Sequence, residues 1–202
     1  RATQAIRSGE HVHVHNVQSF TTEHSPTEPT PDQKTTQAKT AAATNTFRAA
    51  DLRRFAEEVS VAAGASVDAA RDMANSMVEA DLRGVHTHGT RRLPLYARRL
   101  KNRSVDGSAS PTVTRMGSLI AVDGNNGVGH HVARRACDEV IRAATASNLA
   151  CAVVRNSNHL GFAGYYASYM AQHGLLGVVT SNGTPCVAPP GGTRAFFSNN
   201  PF

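Results

Sequence analysis

The sequence has 202 residues, enough for one ordinary domain, and its 21 Lys and Arg against 15 Asp and Glu give a formal net charge of +6. With 40% apolar and 18% charged residues it is typical of a globular protein, which excludes a wholly disordered chain. No apolar run approaches the roughly 20 residues of a membrane span, so we predict no membrane association. The absence of Trp and of a groove-binding motif argues against nucleic acid as a partner, whereas small anions suit the arginine-rich charge.

The three cysteines, Cys137, Cys151 and Cys186, lack the close spacing of a metal site and are odd in number. Because no secretory signal precedes them, this pattern predicts a cytoplasmic protein. The start at Arg1 and the abrupt end at Phe202 predict a piece of a longer protein.

The first 46 residues divide into a short strand and a linker. His and Val alternate over residues 11–15, which in a strand puts three imidazoles on one face. Residues 18–46 are rich in Thr, Pro, Gln and Ala and predict a flexible linker, because they cannot bury enough apolar surface to offset the entropy of ordering. We therefore predict three parts: residues 1–17, 18–46 and 47–202.

From Phe47 the pattern is that of an α/β domain that begins with helices. Apolar residues at i, i+3 and i+4 predict a helix that ends at Gly64, and Ser66 can cap a second helix. A third helix follows the break at Gly84–Gly89. The apolar positions of the three helices are, in order, Leu52, Phe55, Ala56, Val59, Ala62 and Ala63; Ala70, Met73, Ala74, Met77 and Val78; and Leu93, Tyr96, Ala97 and Leu100.

The rest of the chain alternates short strands with helices. Apolar runs and helical spacing predict, in order, strands near Thr112–Arg115 and Leu119–Val122, a turn at Asp123–Gly127, a helix over Gly129–Ser147, a strand over Ala150–Arg155, a helix over Phe162–His173 and a strand over Leu176–Thr180.

The first candidate site lies in residues 83–89 and the helix that follows. If the third helix begins near Gly89, His88, Arg92 and Tyr96 are spaced i, i+4 and i+8 and line one face. An arginine there can hold a substrate carboxylate through two N–H groups. The alternative, a solvated Arg-rich helix with a capping His, is slightly favoured by spacing alone. No Cys or carboxylate cluster joins the histidines, so no metal is predicted.

The second candidate is His159, in the run 155–161 directly after a predicted buried strand. Ligands of α/β proteins commonly bind at the carboxyl ends of strands, and a histidine there can exchange a proton with a substrate hydroxyl. A structural histidine bonded to the backbone is an equally good interpretation of these residues.

Two further loops are rich in glycine and small polar residues. Residues 124–129 miss the G-x-G-x-x-G spacing, because Val132 stands where the last glycine belongs, so a plain turn is the better interpretation. Ser181, Asn182 and Gly183 follow a predicted strand, where backbone amides can approach a phosphate or amide ligand or simply form a turn.

Five motifs, taken in order, resemble those of the malate/L-lactate dehydrogenase family, which also contains ureidoglycolate and sulfolactate dehydrogenases. They are DLRGVHTHGTRRLPLYARRL, VDGNNGVGHHVA, VVRNSNHLGFAGYY, SNGTPCVAPPGG and NNP. The resemblance covers residues 47–202 and implies a mixed α/β fold distinct from the Rossmann fold, with an N-terminal helical segment and truncated in this chain. It also implies NAD- or NADP-dependent oxidation of a 2-hydroxy acid by a homodimer.

Carried over by position, the resemblance implies that His159 takes the hydroxyl proton as a hydride leaves for the nicotinamide. His88 and Arg92 would line the substrate pocket, with Tyr96 supporting them. Residues 181–183 (Ser181, Asn182 and Gly183) would form part of the cofactor pocket.

The motifs also depart from the family in places. Pro190 stands where an aromatic residue usually precedes the paired glycines, and residues 198–201 replace the usual Gly-Thr-Asn-Pro. The family continues for well over 100 further residues that carry much of the cofactor site. We therefore expect this chain alone to be weakly active or inactive.

Residues 1–17 resemble the end of the small N-terminal domain of the altronate/galactarate dehydratase family, which includes the small subunit of sulfolactate sulfo-lyase. Sulfolactate is a substrate of members of both families, so the pairing predicts a sulfolactate dehydrogenase, with malate or lactate as the alternative substrate. Arg83, Arg91 and Arg92 would suit a dianion.

Two other functions stay open. The chain could be a non-catalytic, dimerising fragment. Alternatively, His11, His13 and His15 could form a metal-binding head on a linker.

Overall fold

The fold is taken from a computed structural model that describes residues 11–15, 44–198 and 200–202. Most of the predicted linker lies outside these ranges. The described elements are, in chain order, β1 His11–His15, β2 Thr44–Arg48, α1 Ala49–Ala62, α2 Val67–Leu82, α3 Leu93–Lys101, β3 Thr112–Met116, β4 Leu119–Gly127, α4 Gly129–Ser147, β5 Cys151–Ser157 and α5 Ala163–Gln172.

β1 and β2 form a two-stranded antiparallel sheet in which His11 lies opposite Arg48 and His15 opposite Thr44. The period-two segment at residues 11–15 is therefore a strand, as predicted. Residues 44–46, the end of the predicted linker, belong to β2 and lead directly into α1.

The first core forms where α1, α2 and α3 pack together. Ser66 caps α2 as predicted, since its Oγ accepts the N–H of Ala69 at 3.3 Å. Ala56 faces this core, whereas Phe55, predicted to do so, is exposed. The buried side chains of this core are small or flexible: Ala56, Ala63, Ala65, Ala69, Ala70, Met73, Ala74, Met77, Leu93, Tyr96, Leu100, Val105 and Val128.

The second core lies between α4 and a mixed three-stranded sheet. β3 pairs antiparallel with β4, and β4 pairs parallel with β5, so α4 is the crossover between the parallel strands. Ile120 and Val122 of β4 pack against Val132 and Ala136 of α4. This packing places the carboxyl end of β5 beside the amino end of α4. His159 lies in the loop that follows β5.

The turn predicted at Asp123–Gly127 is wrong, because β4 continues to Gly127 through an irregularity in its register. Asn125 and Asn126 adopt positive φ angles of 49° and 59° there. Their side-chain amides donate to the carbonyls of Ser110 and Ser104, respectively. Asparagine tolerates this conformation, so the strand bulges without ending.

The strand predicted over Leu176–Thr180 is also wrong for this structure, which assigns no ladder there. A strand requires a hydrogen-bonded neighbour, and within the described residues none lies beside this segment. Leu176 and Val178 are 96% and 74% exposed. Leu175 and Val179, by contrast, pack against the core around Tyr166 and Met170, so only one side of this segment is uncovered. In the described part of the chain, every helix is too short or too polar for a bilayer span.

Candidate active site

The loop that carries His88 is organised by Asp81, a residue that the sequence did not single out. Its buried carboxylate accepts the N–H and the hydroxyl of Thr90 at 2.8 and 2.7 Å and lies 3.1 Å from Nδ1 of His86. A Cβ on Gly89 would stand 1.8 Å from this carboxylate. The predicted helix start near Gly89 is wrong: two 3-10 turns fold around Asp81 first, and α3 begins at Leu93.

His159 lies against two residues that are more than sixty positions earlier in the sequence. The hydroxyl of Tyr96 is 2.9 Å from Nδ1 of His159. The ring of His88 stacks on the ring of His159, with centroids 5.6 Å apart and planes inclined by 22°. The structure thus brings His88, Tyr96 and His159 into one cluster.

The hydrogen bonds of His159 define its neutral tautomer. The backbone N–H of Gly161 lies 3.1 Å from Nδ1 of His159 and can only donate. Nδ1 is therefore an acceptor, the Tyr96 hydroxyl also donates to it, and the ring hydrogen of neutral His159 resides on Nε2.

Burial and nearby cations keep the cluster's histidines neutral at pH 7. The pKa of His159 is lowered to about 4, first by burial and then by the charge of Arg92. Burial and Arg92 also lower the pKa of His88. Burial raises the pKa of Tyr96 to about 12, although Arg92 opposes this shift.

The glycine-rich segment supports the His159 loop. Asn158 donates its side-chain amide to the carbonyls of Asn126 and Gly127 at 3.0 and 2.9 Å. A Cβ on Gly129 would lie 2.2 Å from the carbonyl oxygen of Asn158 and 2.4 Å from that of His159. Glycine is needed because two backbones touch at the start of α4.

His130 is a second site residue that sequence reasoning missed. It is fully buried, and its ring meets that of Tyr96 edge-on at 5.0 Å. Burial lowers the pKa of His130 to about 3. Its Nε2 and the Oγ of Ser76 have no hydrogen-bond partner among the described residues. Its only sequence signal is its place at the start of α4, where it is spaced i, i+3 and i+7 with Ala133 and Cys137 of the apolar core.

A cavity of about 20 Å³ adjoins His159, which is space for about one water molecule. Its polar lining comes from Tyr96, Arg99, His130, Asn158 and His159. Arg99 was also missed, although its position on α3 three residues after Tyr96 was a usable signal.

Of the three arginines predicted to suit a dianion, only Arg92 acts on His159. Arg83 pairs with Glu79 at 2.8 Å and donates to the hydroxyl of Ser168 at 3.0 Å, so its charge is already compensated. Arg91 is exposed. The prediction was wrong for Arg83 because its helix turns that side chain toward Glu79, one turn earlier.

The predicted cofactor residues lie apart from this cluster: Ser181, Asn182 and Gly183 do not line the cavity. The N–H of Ser181 donates to the carbonyl of Pro201 at 3.0 Å. Within the described ranges, the N–H groups of Asn182 and Gly183 have no backbone acceptor. Backbone N–H groups in such a turn can donate to an anionic or amide oxygen. No group of three metal-ligating side chains occurs among residues 46–198 and 200–202.

The fold and this cluster define an α/β protein in which a histidine–tyrosine pair lies near the positive charges of Arg92 and Arg99. The chain belongs to the malate/L-lactate dehydrogenase family, whose model matches residues 47–202.

Named relatives agree with this assignment. The malate dehydrogenase of Pyrococcus horikoshii is 36% identical over 152 residues, which are 75% of this chain and 42% of that protein. The L-sulfolactate dehydrogenase of Methanothermobacter thermautotrophicus is 32% identical over 73% of this chain and 44% of its own length. The chain thus spans less than half the length of these curated relatives.

Solved structures show the same fold. The malate dehydrogenase of Entamoeba histolytica superposes with a TM-score of 0.72 at 31% identity, over 76% of this chain and 43% of that one. The Pyrococcus horikoshii enzyme gives a TM-score of 0.65 at 34% identity, over 71% of this chain and 42% of that one.

Proposed function

We propose that this chain contributes the substrate and proton-transfer residues of an NAD- or NADP-dependent 2-hydroxyacid dehydrogenase. The observation that carries the proposal is the contact of the Tyr96 hydroxyl with Nδ1 of His159, beside His88 and Arg92. An acid/base pair next to a guanidinium suits a substrate that has a hydroxyl and a carboxylate on adjacent carbons.

In this proposal Arg92 binds the carboxylate, and His159 exchanges a proton with the oxygen on the neighbouring carbon. Because Nε2 carries the hydrogen of neutral His159, the resting ring is a donor toward a keto acid. As Nε2 gives its proton to that oxygen, Nδ1 receives the hydrogen of the Tyr96 hydroxyl, and the Tyr96 phenolate then takes up a proton from water. Oxidation of the hydroxy acid runs in reverse, so the hydroxyl proton ends on Nε2 and the Nδ1 proton returns to Tyr96.

The bound nicotinamide cofactor would accept or donate the hydride at the same carbon. We place Ser181, Asn182 and Gly183 in its pocket because their small side chains leave backbone N–H groups accessible. NADP is supported by one relative, a (2R)-3-sulfolactate dehydrogenase (NADP(+)) of Chromohalobacter salexigens at 31% identity, over 74% of this chain and 46% of its own length.

For the substrate we propose sulfolactate first and malate or lactate second. Sulfolactate and malate dehydrogenases both occur among the relatives, and an L-lactate dehydrogenase of Cupriavidus necator is 31% identical, over 74% of this chain and 44% of its own length. All three acids carry the hydroxyl and carboxylate that the cluster would bind.

The test is a dehydrogenase assay on the complete gene product that contains these residues, with each cofactor and each of the three acids. His159→Ala is expected to lower turnover by at least about 100-fold. His173→Ala, an exposed histidine at the end of α5, is the matched control and should leave turnover unchanged. Equal activity in both variants would contradict the assignment of His159.

A second candidate, a non-catalytic dimerising module, is favoured by one observation. β5 is an edge strand of the described sheet, and Val153 on it is 69% exposed. The same assay separates the candidates, because a dimerising module shows no His159-dependent turnover.

A further inference from the structure

Two arginines, Arg92 and Arg99, lie on the side of α3 that is nearest to His159, whereas the proposed function uses only Arg92, to bind one carboxylate. Arg92 lies in the turn that leads into α3, and Tyr96 and Arg99 follow it at i+4 and i+7, so the three residues project from the same side. Tyr96 contacts His159. Arg99 is half-buried and lines the same small cavity as Tyr96 and His159.

The two guanidinium groups on this face have no anionic partner in the described part of the chain. Arginines on other elements pair with carboxylates, for example Arg115 with Glu139 at 2.7 Å. Arg92 instead donates to a neutral acceptor, the carbonyl of Thr87. Neither Arg92 nor Arg99 forms an ion pair with any described carboxylate. Because the nearby histidines are neutral, the site carries two uncompensated positive charges.

The size of the cavity limits what can reach Arg99. At about 20 Å³ it has space for one oxygen-sized group, so a ligand beside His159 can reach Arg99 through a single charged oxygen. Its lining combines apolar Met73 and Leu100 with the polar side chains around His159. A half-buried guanidinium in such surroundings gains most from a charged oxygen acceptor, since charge-assisted hydrogen bonds strengthen as water is excluded.

We propose that Arg99 binds the second anionic group of a dianionic 2-hydroxy acid, a carboxylate or sulfonate, while Arg92 binds the first. The site therefore selects dianions over monocarboxylates. This inference rests on the proposed function, because it assumes that the hydroxy acid lies beside His159.

The experiment is a calorimetric titration of the complete gene product with L-malate, a dianion at pH 7.5, and with L-lactate, a monoanion, each with and without reduced cofactor, which cannot oxidise the acid during the titration. The wild type is expected to bind malate about tenfold more tightly than lactate. Arg99→Gln should remove this preference, because it should weaken the binding of malate about tenfold and change the affinity for lactate by less than about twofold. Arg99→Lys, which keeps the charge, should retain part of the preference.

Arg98→Gln is the matched control, since it removes the same charge from the exposed neighbouring position on α3. It should leave both affinities unchanged. An Arg99→Gln protein that is folded by circular dichroism and keeps the malate preference would overturn the role of Arg99. An equal loss of affinity for both acids in Arg99→Gln would also overturn that role. If wild type binds neither acid, or if Arg92→Gln leaves both affinities intact, the proposed substrate site itself is contradicted.

Discussion

At the scale of single residues, the site depends on which nitrogen of His159 holds the ring hydrogen. Gly161 and Tyr96 both donate to Nδ1, so protonation of that nitrogen requires the Tyr96 hydroxyl to become the acceptor and the Gly161 contact to break. Tyr96 therefore acts through His159, and its hydrogen is part of the proton balance.

We predict that oxidation of the hydroxy acid accelerates as pH rises above 7, because the relay must first lose the Tyr96 hydrogen and burial raises the pKa of that phenol to about 12. Tyr96→Phe removes the hydrogen carrier and should lower turnover by about 100-fold, with a smaller effect on KM. The measurement is the pH profile of kcat in both proteins. An unchanged alkaline rise in Tyr96→Phe would rule out the relay.

His130 should make the fold sensitive to acid. The folded-state pKa of His130 is about 3, below the ordinary value of 6.5. Above pH 6.5 the residue is neutral in both the folded and the unfolded chain, so its ionisation does not affect stability there. Below that pH the unfolded chain takes up a proton that the folded one excludes, and stability falls. We predict a loss of about 2 kcal/mol from pH 7 to pH 5 through this residue.

The check is urea unfolding of the wild type and of His130→Leu at both pH values. The variant should show the smaller difference between pH 7 and pH 5, with the remaining difference shared by other groups such as His159. An identical pH difference in the two proteins would show that His130 does not cause the effect.

At the scale of elements, the site is formed by loops whose conformations are fixed by polar contacts to the neighbouring helices and strands. Asp81, at the end of α2, fixes the turns that present His88, and Asn158 ties the His159 loop to β4. Such anchors convert flexible connections into a defined geometry.

Gly89→Ala tests the Asp81 anchor, because the new methyl would meet the carboxylate at 1.8 Å. The expected loss of stability is about 1–3 kcal/mol, with faster amide hydrogen exchange in residues 86–90. Gly117→Ala is a control at a glycine with no neighbouring atom, although its positive φ of 64° adds some strain. If amide hydrogen exchange in the His88 loop stays slow in Gly89→Ala, the tight contact between Gly89 and the Asp81 carboxylate is contradicted.

Glu139 links α4 to β3 through a buried carboxylate. Arg115 donates to it twice at 2.7 Å, and Arg142 once at 2.6 Å. Hydrogen bonds from Arg115, ahead of the effect of Arg142, lower the pKa of Glu139 to about 2. Its stabilisation is therefore present above the ordinary glutamate pKa and is lost as pH falls toward 2.

We expect Glu139→Gln to lower the free energy of unfolding by about 2 kcal/mol at pH 7 and to flatten the acid dependence below pH 4. The measurement is urea unfolding across pH 7 to 3. Glu58→Gln, an exposed acid on α1, serves as the control and should change stability by less than about 0.5 kcal/mol.

At the scale of the whole molecule, one side of the described structure is apolar and uncovered. Val153 on the edge strand β5 is 69% exposed, and Leu149 just before the strand is 77% exposed. Unpaired strand edges with apolar side chains promote association.

We therefore predict that the 202-residue chain self-associates in the micromolar range, and that Val153→Lys reduces this association by adding charge at the edge. Sedimentation velocity at several concentrations measures the effect. Thr145→Lys, an exposed position on α4, is the charge control. A chain that stays monomeric at all concentrations would disprove the prediction.

Sequence patterns alone predicted most of the helices, the Ser66 cap and the place of His159 after a strand, because these depend on local spacing. The strand was predicted to be buried, which is wrong, because β5 is an edge strand whose side chains are mostly exposed. The bulge at Asn125 and the missing strand at residues 176–180 were not predictable in this way. Both depend on whether another part of the chain supplies hydrogen bonds.

The five ordered motifs of the sequence indicated the family without any knowledge of contacts. Residue spacing gave His88, Arg92 and Tyr96 as one candidate cluster and His159 as another, and only the family resemblance placed them in one site. Only the tertiary structure decided that Nδ1 of His159 is an acceptor, that Arg83 is neutralised, and that Arg99 and His130 belong to the site. These properties depend on burial and on hydrogen bonds between residues that are distant in sequence, and a local sequence pattern predicts neither of them.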